Sequence, residues 1–439
     1  PASVAKAPTA LYALETLGPT YRFKTRLMSN APIRDGVLMG DLVLVGGGDP
    51  VLDGDDLAAL AKDLKALGVN EIAGAFYYDD SAAPHRTAID PSQPPQAQYN
   101  AALRGLNVNF NRAHFKWKRI AQGRYETSLD AVSAGRRIPV DIASVETARS
   151  GVSGFDYTVG PRRVGPGLVS GEHEKWRVAT RIMGSNGGRW LPIRRPGLYA
   201  ATLFHRIAAK EGVVFGDPSR LPNGHFKGAP PLKTLATHES SELHRIVRGM
   251  LKFSTNLTAE ALGLAASRAR GLRPRSIEDS AAMMSAWLRT RYKLRGVAAD
   301  AVALRNHSGL STKSRMSARA MAYVLAEAYQ AKKPEHVAAG HTVDALLRPH
   351  RVKQVSRAHT VRAKTGTIYY GRGLSGYIEC KGGKVFAFAV FTSDFDARER
   401  VDARFDMASG AKPRGAGGWL NRARVVERSL LGRWTKSKC

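Results

Sequence analysis

The sequence predicts an α/β protein in which one mixed unit is split around a large insertion. Three features carry this reading. The chain opens on a helix-periodic segment, its last third holds amphipathic helices followed by three strands, and the stretch between is rich in glycine, arginine and β-formers without helical period. With 439 residues, 43 % of them hydrophobic, the chain has material for two or three domains and a substantial core.

Ser3 to about Leu17 reads as a helix with Ala10, Leu11, Leu14 and Leu17 on one face, stopped by Gly18-Pro19. Pro8 predicts an irregularity just after Lys6, because proline is comfortable only in a first helical turn. A strand over Asp41 to Val45 runs into Gly46-Gly47-Gly48-Asp49-Pro50, a helix follows near Asp55, and a second strand spans Ile72 to Tyr78. The glycine triplet lacks the G-x-G-x-x-G order that opens a nucleotide-binding helix, so it reads as a turn. Phe155, Tyr157 and Val159 alternate with polar residues as in a half-buried strand. A helix near Leu198 to Glu211 and a Pro/Gly-rich stretch, Gly216 to Pro231, lead back to helices. Ser240 is the expected N-cap of a helix carrying Leu243, Ile246, Val247, Met250 and Leu251. Strands follow at Val361 to Lys364, Gly373 to Glu379 and Lys384 to Thr392, and a helix from about Asn421 to Leu431 closes the chain. The expected division is 1–30 with 233–439 as the split unit, 31–105 with 206–232 as an inserted α/β domain, and 106–205 as a small β-rich domain nested in it.

The formal charge of +30 predicts attraction to polyanions, an anionic wall polymer or membrane surface among them. Eight Lys or Arg against one acid, Glu427, fall between Lys412 and Lys438. No zinc-finger spacing or aromatic-glycine RNA signature accompanies the charge, so nucleic acid is not the expected partner. Val385 to Phe391, the longest apolar run, is too short to cross a bilayer. No signal segment is visible, so a targeting peptide is expected to lie outside this numbering. Two cysteines, Cys380 and Cys439, are expected to be unpaired thiols, the second at a mobile chain end. None of the twelve histidines falls in His-Glu-x-x-His or a similar ligand set, so each reads as surface or core.

Three short motifs carry chemistry: Ser3-Val4-Ala5-Lys6, Ser254-Thr255-Asn256 and Lys364-Thr365-Gly366. Residues three apart share a helix face, so Lys6 can reach the Ser3 hydroxyl, and a helix N-terminus favours negative charge developing there. A desolvated lysine near a second cation, for which Lys364 is the candidate, loses proton affinity and can act as a base. Ser254 can relay a proton to a leaving amine while Asn256 orients a substrate backbone. On an edge strand, Lys364 and Thr365 suit a terminal carboxylate and Gly366 admits an extended peptide. The Thr367 amide with that of Ser3 can form an oxyanion hole.

In this order the motifs resemble the Ser-x-x-Lys, Ser-x-Asn, Lys-Thr-Gly set of penicillin-binding proteins and serine β-lactamases. Within that superfamily the chain resembles the D-alanyl-D-alanine carboxypeptidase/endopeptidase family, the class C low-molecular-mass penicillin-binding proteins. The resemblance rests on Pro1-Ala2-Ser3 with Leu17-Gly18-Pro19, Gly40-Asp41-Leu42 through Gly48-Asp49-Pro50, Tyr78-Asp79-Asp80-Ser81, Ser308-Gly309-Leu310-Ser311 and Leu374-Ser375-Gly376-Tyr377. The 251 positions between Ser3 and Ser254 exceed the gap of simple β-lactamases. The resemblance implies a transpeptidase-like domain, an antiparallel sheet flanked by helices, carrying a large α/β and β-rich insertion. It implies hydrolysis of the D-Ala-D-Ala bond of peptidoglycan stem peptides and of cross-links through an acyl-enzyme on Ser3, trapped by β-lactams, in the periplasm or cell envelope. Leu310 joins Thr365 and Gly366 as an implied substrate-binding residue, and the resemblance implies neither metal nor cofactor. Two places depart from the family: Asn306-His307 stands where it has Asp-Gly, and Gln93 to Tyr99 lacks its acidic, aromatic character. The alternatives are a β-lactamase or esterase of the same fold, or a non-catalytic basic wall-binding protein.

Overall fold

The computed structural model describes residues 1–133, 135–164, 167–225, 227–294, 301–353, 355–404 and 412–439. The chain forms two compact units, one from Pro1–Tyr21 with Ser241–Asp406 and Ala411–Cys439, the other from Arg22–Ser240.

The first unit is built on three antiparallel strands, Thr360–Ile368, Gly371–Glu379 and Val385–Ser393, with Thr360–Ile368 at the edge. Register pairs Lys364 with Ser375, Gly366 with Gly373 and Thr367 with Arg372. Side chains alternate across a pleated sheet, so the two faces have different partners. Leu374 and Ile378 join Leu431 of the C-terminal helix Ala416–Lys438 in one apolar cluster. On the opposite face Tyr377 donates its hydroxyl proton to the Leu325 carbonyl in the helix Ala318–Gln330.

The opening segment is a 3₁₀ turn, Ala2–Ala5, running into an α-helix, Lys6–Leu17. The irregularity therefore precedes Lys6 instead of following it, and Pro8 falls in the first α-helical turn, where no partner for an N–H is required. Every residue from Lys6 to Leu14 is buried, so the helix is covered all round and not on one face only. Ala5, Ala7, Ala10 and Ala13 keep its girth small enough for that. Gly18, with φ at 84°, ends it through its N–H to the Leu14 carbonyl.

In the second unit five strands lie in the order Ser219–Arg220, Phe76–Asp79, Leu42–Gly46, Lys24–Ser29 and Lys233–Glu239. Gly54–Ala66 begins at a capping box between Asp53 and Asp56. The expected strand Ile72 to Tyr78 is two pieces, Glu71–Ile72 and Phe76–Asp79. The break falls at Gly74, where a Cβ would meet the Gly40 carbonyl carbon at 2.4 Å. Two further sheets fill the β-rich stretch, one of four strands between Arg112 and Pro192 and one of three between Ala143 and Ala179. Ser240 is not the N-cap expected of it. Glu242 takes that position, and the Ser240 hydroxyl accepts instead from the Phe23 N–H.

Cys380 and Cys439 are joined in a disulfide, which corrects the expectation of two free thiols. The C-terminal helix does not end near Leu431 but runs to Lys438, and so delivers Cys439 to the end of the central strand, 5.3 Å from Cys380 between Cα atoms. Closing a loop across 59 residues removes unfolded-chain entropy corresponding to about 4 kcal/mol. Reduction is therefore expected to lower the denaturant midpoint of the first unit, measured by urea unfolding with and without reductant; coincident curves would contradict it.

Candidate active site

The three sequence motifs meet in the first unit. Ser3 lies in the 3₁₀ turn and Lys6 heads the α-helix, so that Lys6 Nζ donates to Ser3 Oγ at 3.0 Å. The same amine donates to Asn256 Oδ1 at 2.7 Å and to the Ser308 carbonyl at 2.8 Å. Lys6 is wholly inaccessible to solvent. Burial, and then the charge of Lys364, hold its ammonium well below the usual lysine range, against an opposing pull from Glu260.

Ser254 and Asn256 flank the break between two helices, Leu243–Phe253 and Asn256–Ala269. Ser254 is left-handed, with φ at 60°, and caps the first of these at its C-terminal end. Its hydroxyl accepts from Lys364 Nζ at 3.0 Å, and no side chain caps the second helix. Holding a serine in this conformation costs energy that the surroundings must supply. Lys364 Nζ also donates to the Thr365 carbonyl at 2.7 Å, and burial, with the nearby Arg372 charge, brings its pKa down to about 8.

The edge strand divides its motif between two faces. Lys364 and Gly366 share the face of Ser375 and Gly373, which meets the 3₁₀ turn that bears Ser3. A Cβ on Gly366 would lie 2.8 Å from the Ser3 nitrogen, and one on Gly373 3.0 Å from the Pro1 carbonyl oxygen. Thr365 and Thr367 face the other way, where Thr367 Oγ1 accepts from Arg372 Nη1 at 2.8 Å. Arg372 in turn forms a two-pronged pair with Glu427 of the C-terminal helix, at 2.9 and 3.0 Å, with both side chains buried. The backbone has its own parity. Ala363 N–H donates outward to the Arg348 carbonyl and the Val361 carbonyl accepts outward from His350, so the peptide groups of Thr365 and Thr367 also point off the sheet.

Sequence reasoning missed Glu260, one turn after Asn256 on the same helix and fully buried. Its two carboxylate oxygens accept from the N–H groups of His307 and Ser308, each at 2.9 Å. Burial pushes its carboxyl up, while those bonds and the Lys6 charge work to keep it ionised. Glu260 thereby fixes the loop whose Ser308 carbonyl holds Lys6, a positioning role. The only sequence signal for it is a lone acid four residues beyond Asn256. Leu310 sits in that loop with its side chain buried, its N–H donating to Ser308 Oγ at 3.2 Å. Gly309, at φ 73°, passes so close to the turn that bears Ser3 that a Cβ would lie 1.8 Å from the Ala2 carbonyl oxygen.

His307, at the site of the family departure, is a core histidine. Its ring bonds Ser280 Oγ at 2.8 Å and fills the space that Gly263 leaves open, and burial brings its pKa down to about 3. Tyr12, Ser267 and Ser280 continue the chain of hydroxyls behind it.

The family model of the D-Ala-D-Ala carboxypeptidase 3 (S13) family matches residues 1–412. The chain belongs to this family. A D-alanyl-D-alanine carboxypeptidase of Actinomadura sp. (strain R39) is 29 % identical, over 89 % of this chain and 72 % of its own. The D-alanyl-D-alanine carboxypeptidase DacB of Haemophilus influenzae is 23 % identical, over 90 % of this chain and 80 % of its own. The crystal structure of penicillin binding protein 4 (dacB) from Haemophilus influenzae superposes with a TM-score of 0.73 at 23 % identity, covering 99 % of this chain and 91 % of that one. The S13 chain thus has the penicillin-binding-protein fold, with its mixed helices and several sheets. Among the described residues no helix is long and apolar enough to cross a membrane.

Proposed function

We propose that Ser3 is the nucleophile of a serine-type D-Ala-D-Ala carboxypeptidase/endopeptidase that cleaves peptidoglycan stem peptides and cross-links, with Lys6 as its base. The observation that carries this reading is the contact of a fully buried lysine with the Ser3 hydroxyl. A neutral amine has two N–H bonds and a lone pair. With Asn256 Oδ1 and the Ser308 carbonyl taking both protons, the N–H that the ammonium donates to Ser3 Oγ gives way in the neutral amine to a lone pair that accepts from the Ser3 O–H.

In the proposed cycle Ser3 Oγ passes its proton to Lys6 Nζ and attacks the carbonyl of the penultimate D-Ala. The oxyanion takes N–H bonds from Ser3 and Thr367. The outward parity of the Thr367 peptide and the absence of a side chain at Gly366 support that role. The Lys364 ammonium holds the terminal carboxylate beside the outward-facing Thr365 peptide, and the proton taken up by Lys6 passes to the departing amine by way of the Ser254 hydroxyl, which is hydrogen-bonded to Lys364. Water then attacks the ester on Ser3, giving a proton to Lys6 Nζ, which returns it to Ser3 Oγ as the acid product leaves. Neither a metal nor a cofactor enters the cycle. A β-lactam presents the same carbonyl and carboxylate but its leaving group stays attached, so the ester persists. Peptidoglycan lies outside the cytoplasm, and we place the enzyme in the periplasm or cell envelope.

Labelled penicillin with a D-Ala-D-Ala peptide as competitor tests the reading. A stable one-to-one adduct together with D-Ala release is expected. Rapid penicillin turnover would indicate a lactamase or esterase instead, and no adduct on folded protein a wall-binding protein.

The site also sets a pH profile. Lys6 acts as a base only when neutral, so acylation rises as pH climbs through its lowered pKa. Lys364 binds carboxylate only when charged, so acylation falls above about 8. Arg372 contributes to that low value, so its removal is expected to shift the alkaline limb of kcat/KM to higher pH. The double variant Arg372→Met with Glu427→Gln avoids leaving a buried carboxylate unpaired. An unmoved limb would detach it from Lys364.

A further inference from the structure

The base of the sheet holds a second constellation, which the peptidase cycle does not use. Thr360 and Glu379 are the last pair of the ladder, His359 immediately precedes the one, and Cys380 immediately follows the other. The hairpin beyond Cys380 is closed by its N–H to the Lys384 carbonyl, which fixes that residue, and the C-terminal helix brings in Cys439. The two sulfurs and a ring nitrogen of His359 all lie within 4.8 Å of one another. His359 Nδ1 is buried and makes no hydrogen bond among the described residues. A buried ring nitrogen with no partner is costly unless something occupies it.

We propose that Cys380, Cys439 and His359 form a redox-gated site for a thiophilic divalent cation, with zinc its natural occupant. In the oxidised protein the two sulfurs bond each other. A dithiol or phosphine reductant supplies two electrons, and two protons from water complete the thiols. The cation then displaces both thiol protons and is held by two thiolates and the imidazole. Two sulfurs with one imidazole suit zinc, which takes a fourth ligand from water. Lys381 and Lys438, each next in sequence to one of the cysteines, favour the thiolate form. The bound ion replaces the disulfide as the tie between the C-terminal helix and the sheet.

Cobalt(II) is the probe. The full chain is reduced with a phosphine, freed of reductant without air and titrated with cobalt(II). The expected result is a thiolate-to-cobalt charge-transfer absorption that saturates at one ion per chain and is displaced by zinc. His359→Ala keeps both cysteines and the disulfide, so it folds under oxidising conditions. It is expected to bind cobalt at least about tenfold more weakly after reduction. Zinc is expected to raise the melting temperature of reduced wild type and leave that of oxidised protein unchanged. No charge-transfer band in reduced wild type, an equal band in oxidised protein, or undiminished affinity in His359→Ala would each overturn the proposal.

Discussion

Ser3→Ala is expected to abolish covalent penicillin labelling and to lower D-Ala release by four to six orders of magnitude, on the order of what loss of a serine nucleophile costs elsewhere. The substitution removes one hydroxyl from a half-buried position. Lys6 keeps its bonds to Asn256 and to the Ser308 carbonyl, so the fold and its melting temperature are expected to change little. Binding of uncleaved peptide is expected to survive as well, because Lys364 and the edge strand are untouched. Stoichiometric labelling by Ser3→Ala protein would remove Ser3 from the chemistry altogether.

Lys6→Met separates base from nucleophile. Methionine has nearly the same length but neither charge nor donor, so it strands Asn256 Oδ1 and the Ser308 carbonyl in a buried site. Each such unpaired acceptor costs about 1–3 kcal/mol, which a denaturant curve would register. Acylation by labelled penicillin is expected to slow by roughly 10²–10⁴-fold, the range of a positioned general base. The acid limb set by the buried amine should vanish with it. A variant that unfolds cooperatively yet acylates within about tenfold of wild type would assign the base elsewhere.

Much of this molecule is legible in the sequence because its signals are local. The helix running to Leu17 and the three late strands follow from periodicity and breakers over short windows. Ser3 and Lys6 announce each other by helical spacing. Tertiary partners of single residues do not. Glu260 lies 47 positions from the His307 amide it holds, and Arg372 lies 55 from Glu427, so neither pair leaves a pattern in the sequence. The disulfide was hidden for a related reason. Its geometry depends on where a helix stops, and the seven residues from Gly432 to Lys438 decide whether Cys439 reaches the sheet. His307 shows the converse: a departure that looks functional is accommodated by Gly263 from a neighbouring helix, and the exchange is one of packing.

The three glycines around the turn that bears Ser3 come from two separate parts of the chain, a loop and two paired strands; Gly309 and Gly366 abut its backbone first, while Gly373 abuts the Pro1 carbonyl oxygen together with the Val4 and Phe391 side chains. Flexible side chains can rotate away from an intruding methyl group, but peptide groups can yield only by moving the turn that bears Ser3. The Ser3 oxygen is thus located by atoms that are missing, and a methyl group added at Gly309 or Gly366 would displace it.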